Sequence, residues 1–125
     1  MRFTLEYNKE NKILTAEILE KFEPEDVHGI VNSLKNDYSE EQRQYMIANI
    51  HEPAQPMPSK ETRQALAQST SELKLHKIAI CGAKPVLRMV GRIIVTAIGR
   101  ANDSKFFNTM DEAVNWLSEE AKKAS

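Results

Sequence analysis

A single cysteine in 125 residues excludes any internal disulfide, and Cys81 sits in an apolar run where it reads as a small core side chain in a reducing compartment. No apolar stretch approaches the roughly 20 residues of a membrane span, so no integral membrane segment is expected. The first residues lack the apolar region of a secretory signal, which points to a cytoplasmic chain. Charge of neither sign dominates: the net charge is −1 with 41% apolar residues, which argues against a disordered chain or one that binds nucleic acid. The three histidines, His28, His51 and His76, fall on separate segments, and His51-Glu52 lacks the second histidine of a zinc helix. Neither a metal nor a cofactor is expected. Internal repeats and linkers are also missing, so residues 1–125 read as one domain, long enough to bury about two thirds of the surface its unfolded chain exposes.

What is present is organised around the stretch from Leu73 to Gly99. Ile78-Ala79-Ile80-Cys81 is an apolar run too short for a helix, the pattern of a strand covered on both faces. Gly82 breaks it. Pro85 suits a first helical turn and Gly99 the residue past a helix end, which predicts a helix from about Pro85 to Ile98. Upstream, Phe3, Leu5 and Tyr7 alternate with polar residues, a polar turn follows at 8–11, and an apolar run covers 13–19; together they predict an antiparallel hairpin. Pro24 begins a helix whose Val27, Ile30, Val31 and Leu34 form a core stripe, with Tyr38 one turn on. Residues 45–50 predict a third strand covered on both faces, and 51–59, with three prolines, an ordered loop without regular structure.

Ser59 is placed to cap a helix from Lys60 to about Leu73, whose core face is thin: Leu66, Ala67, Thr70 and Leu73. A last strand is expected at 105–108. Thr109 and Glu112 then form a capping box ahead of a helix with Ala113, Val114, Trp116, Leu117 and Ala121 on one side. Strands joined through helices run parallel through right-handed crossovers. The expected class is therefore α/β: a mixed sheet of about five strands, antiparallel only in the N-terminal hairpin, with four helices.

Charge is unevenly placed. From Lys74 to Lys105, seven Lys or Arg stand against one acid, Asp103, whereas the rest of the chain holds ten basic and seventeen acidic residues. One face can thus attract an anionic partner. On the helix after Pro85, Val86, Leu87, Val90, Ile93, Ile94, Ala97 and Ile98 spread over about half the circumference, with Met89 at one edge. Lys84, Arg88 and Arg92 line the opposite side, with Val95 among them. Arg88 and Arg92 suit an anionic ligand, a lipid headgroup or an acidic partner, and the wide apolar arc suits a groove or a homodimer contact; a core helix with a solvated back explains the same pattern.

Two further places carry chemistry. A phosphate on Ser59 would gain from the helix N-terminus and from Lys60 and Arg63, although a plain N-cap is the simpler account of the residue. The turn from Cys81 to Pro85 joins a strand to a helix N-terminus, where anions often bind, but it lacks the glycines of a phosphate loop, and Cys81 has no base beside it in sequence.

Two blocks, Lys77–Arg92 and Lys105–Leu117, resemble the STAS superfamily in its SpoIIAA-like branch of bacterial proteins. The shared pattern is a strand ending in small residues, a helix carrying Arg and Gly, a strand ending in Phe, and a capped acidic helix with Ala and Trp-Leu. With the hairpin, the likeness spans nearly the whole chain. It implies the STAS fold. Anti-sigma-factor antagonists of that superfamily carry an Asp-Ser-Ser-Gly type motif with a phosphorylatable serine; here the segment 51–59 takes its place, with Ser59 at the comparable helix start. The resulting expectation is a non-catalytic domain that recognises a protein partner or a small apolar or anionic ligand through Met57, Ser59, Lys84, Arg88, Arg92 and Val95. A switch phosphorylated at Ser59 is the alternative, and a small enzyme working near Cys81 and Lys84 the third reading.

Overall fold

The computed structural model describes residues 2–70, 72–97 and 99–124, apart from the side chains of Thr70 and Ala97. Its elements are β1 (Phe3–Asn8), β2 (Ile13–Ile18), α1 (Pro24–Asp37), β3 (Tyr45–Ile50), α2 (Lys60–Thr70), β4 (Lys77–Cys81), α3 (Pro85–Ala97), β5 (Ser104–Phe107) and α4 (Met110–Ala124). The five strands lie side by side in chain order, antiparallel between β1 and β2 and parallel thereafter. The α/β class, the hairpin and the four helices are as the sequence predicts.

Strand order has a structural consequence. A sheet wound in one direction by crossovers of one hand places every crossover helix on the same face. Leu14 and Met46 accordingly meet Val27, Val31 and Leu34 of α1 on one side of the sheet. On the other side, Ile47, Ala79 and Cys81 meet only α4, through Ala113 and Leu117. Because the order never reverses, the sheet has no switch point, the usual ligand crevice of open α/β folds. The two sides also pack differently: α4 lies directly on β3, β4 and β5, whereas α1, α2 and α3 pack chiefly on one another and stand off the strands.

Helix ends follow the local chemistry. The Glu23 N–H donates to the Asp26 carboxylate at 2.8 Å at the start of α1, and Arg43 donates to the carbonyls of Leu34 and Tyr38 at its end, at 2.9 and 2.7 Å. Thr109 and Glu112 form the expected capping box, with Glu112 N–H donating to Thr109 Oγ1 at 3.3 Å and Thr109 N–H to Glu112 Oε1 at 3.2 Å. Lys77 ties β4 to the approach of β5 and to α4, 3.0 Å from Asp103 and 3.7 Å from Glu120. The Asp103 bond holds the Lys77 ammonium above its usual range.

Three expectations need correction. A short 3-10 turn, Glu52–Ala54, interrupts the loop predicted to be irregular. Helix α2 ends at Thr70, and its buried positions are Thr62, Ala65 and Ser69, with Leu66 only partly covered and Leu73 buried beyond the helix. Small side chains on that face let α2 settle between α1 and α3, and the Thr62 hydroxyl finds an acceptor in Phe22 O at 3.3 Å. On α3, Val86, Met89 and Ile93 are 50%, 53% and 64% exposed, while Leu87, Val90 and Ile94 turn inward together with Val95. Apolar residues spread this widely cannot by themselves fix which side of a helix is buried. Ile98, the expected last helical residue, lies outside the described residues.

Candidate functional site

Between the sheet and its three-helix layer is an apolar cavity of about 280 Å³. Its floor is one cross-strand row, Ala16, Ala48, Ile80 and Phe106, in register on β2 to β5. The two alanines, side by side on β2 and β3, leave space that larger side chains would fill. Val27 and Ile30 of α1, Leu66 of α2, and Leu87, Val90 and Ile94 of α3 form the opposite wall. Every lining residue except Arg100 is apolar or glycine, and Arg100 donates its guanidinium N–H groups to the carbonyls of Leu75 and Leu73. A water needs two to four polar partners, so this lining suits hydrocarbon and not solvent.

The loop between β3 and α2 supplies a third wall through Ala54, Pro56 and Pro58. One side chain fastens it: Gln55 donates Nε2–H to Gly82 O at 2.7 Å and accepts the Lys84 backbone N–H at 3.0 Å. The exposed pair of Glu52 and Lys84 adds a second tie on the same turn.

Phe106 also lines a second cleft of about 420 Å³, together with Arg88, Arg92, Val95, Thr96, Ala101, Ser104 and Lys105. Phe106 stands against α3 at Gly91, where a Cβ would sit 2.9 Å from the ring. The Arg92 guanidinium lies 5.4 Å from the same ring's centre, and Arg88 reaches Ala83 O at 2.9 Å and Asn108 Oδ1 at 2.6 Å. No acidic side chain lines the cleft. Among the described residues, Arg88, Arg92 and Lys105 form no ion pair.

Of the residues chosen from sequence, Arg88, Arg92 and Val95 come together at this cleft, and Val95 also borders the apolar cavity. Lys84 is exposed and engaged with Glu52. Met57 is 46% exposed and lines neither space. Ser59 caps α2: its Oγ accepts the Thr62 N–H at 3.1 Å and lies 3.0 Å from the Thr62 hydroxyl. Gln55, Gly91 and Phe106 were not chosen. Only Gly91 gives a sequence signal, since a glycine inside an apolar helix is unfavourable unless something approaches its backbone closely.

Cys81 is 1% exposed on the α4 side of the sheet, its Sγ 3.6 Å from Thr109 O. Burial, helped by the charges of Glu112 and Glu17, pushes the thiol up to about 11. At pH 8 it should therefore alkylate roughly two orders of magnitude more slowly than an ordinary cysteine thiol and regain full reactivity in urea. Timed labelling with iodoacetamide checks this, and comparable rates in both states would show an accessible thiolate. At the same sheet end, Glu17 Oε1 lies 2.6 Å from His51 Nε2 and accepts the Asn49 amide at 2.8 Å. No group of three or more His, Cys, Asp or Glu among the described residues is placed to hold a metal ion. No helix among them is long and apolar enough to cross a membrane.

No protein-family model matches this chain, and no curated protein is similar to it.

Proposed function

We propose that the chain is a non-catalytic, STAS-like binding domain whose ligand is a small molecule with a substantial apolar part, held between the sheet and α1 to α3. The observation that carries this reading is the 280 Å³ cavity, whose lining offers hydrocarbon and almost nothing polar. Its volume is several times the roughly 30 Å³ that one water takes up in the liquid, room for a short alkyl chain. Burying a methylene is worth about 0.8 kcal/mol, so a chain of that length supplies several kcal/mol of binding free energy. The buried, protonated Cys81 and the absence of a paired acid and base around the cavity support binding over turnover.

Calorimetric titration with 1-octanol and 1-decanol tests the reading. Affinity should rise several-fold from the shorter to the longer alcohol. It should fall at least tenfold in Ala48→Leu or Ala16→Leu, which fill the floor, with no loss of thermal stability. Equal, weak uptake of both alcohols by the wild type and the filled variants would overturn it.

A further inference from the structure

The apolar cavity and the cationic cleft are neighbours. Val95 and Phe106 border both, so these two side chains stand between a hydrocarbon-lined space and a space lined by Arg92, Ser104 and Thr96. We infer that the ligand is a single-chain anionic amphiphile, its tail in the cavity and its carboxylate or phosphate head in the cleft. This inference rests on the binding function proposed above and adds the chemical class of the ligand.

Two observations converge on it. First, the positive charge that Arg92 brings to the cleft is not neutralised within the protein. Asp103, the acid adjoining the segment, is engaged with Lys77 at 3.0 Å and lies 3.9 Å from Arg100. Arg88 spends its donors on the neutral oxygens of Ala83 and Asn108. Arg92 has only the face of Phe106 beneath it, whereas Lys105, in register with Ala79, sends its ammonium to the α4 side of the sheet, 5.8 Å from the Phe107 ring. An arginine without an acidic partner, beside the Ser104 and Thr96 hydroxyls and with no carboxylate in the lining, suits an anion.

Second, a cleft with one arginine alone would take any anion, but this one adjoins the apolar cavity: Val95 and Phe106 line both, and Phe106 fits against α3 at Gly91 with no Cβ between them.

The test compares decanoate, decyl phosphate and 1-decanol against the wild type and an Arg92→Gln variant. Arg92 is exposed, so the variant should keep the wild-type thermal midpoint. The expected result is that at least one of the two anions binds the wild type tenfold or more tightly than the alcohol. That advantage should vanish in the variant and shrink in 0.5 M salt, while decanol binds both proteins alike; the preferred anion identifies the head group. If decanol binds as tightly as the anions, or the variant retains their advantage, the head assignment is overturned and the apolar cavity stands. If none of the three binds, both readings fall.

Discussion

Gly82→Ala should leave a chain that folds poorly, the most severe outcome expected of any single methyl addition in this protein. Gly82 has φ +77°, a region that costs other residues roughly 1–2 kcal/mol, and a Cβ there would stand 2.7 Å from the carbonyl oxygen of Ile50. That oxygen belongs to the end of β3, so relief requires β3 and β4 to part where Gln55 fastens the loop. The combined loss should exceed about 3 kcal/mol, a large part of the 5–15 kcal/mol that holds an ordinary domain together. Gly99 is the internal control. Its φ is +74°, but a Cβ there meets nothing within 4 Å, so Gly99→Ala should lose only about 1 kcal/mol. Urea unfolding of both variants separates strain from collision. Equal losses would show that the contact with Ile50 O carries no weight.

The second large effect contrasts the two faces of the sheet. Leu117 is 1% exposed in the tight layer under α4, the only helix on that side among the described residues, and Leu117→Ala should lose about 2–5 kcal/mol. Leu87 on α3 is partly exposed and borders a space that already exists. The same truncation there removes few contacts and should lose no more than about 1 kcal/mol in the ligand-free protein. With decanol bound the Leu87→Ala deficit should grow, because the side chain then has hydrocarbon to pack against. Matching losses at the two positions without ligand would mean that the helical layer is packed as tightly as α4 and that the cavity is not open in solution.

This asymmetry bears on function. A protein that needs only stability has little reason to keep alanines at the centre of its sheet, where larger apolar residues would strengthen the core. Ala16 and Ala48 occupy those places beneath helices that stand off the strands. The resulting free energy is withheld from folding and becomes available to a ligand.

The sequence by itself determined the elements and their class. Period-two alternation in 3–7, the spacing of Val27, Ile30, Val31 and Leu34, the capping pair of Thr109 and Glu112, and Gly82 and Pro85 around a turn are local signals. Each acts within a few residues, so each can be read without knowing the rest of the chain. The two arginines and Val95 of the candidate site were legible for the same reason, as positions on one helix. Tertiary structure alone decided which part of the apolar arc of α3 is buried and which part, with Val86, Met89 and Ile93, faces outward. It also decided that Ala16, Ala48, Ile80 and Phe106 form one floor, and that Phe106 lines both the apolar space and the cleft beside Arg88 and Arg92. A cavity is where side chains from distant segments fail to meet, and that depends on strand order and layer spacing, which no local pattern encodes.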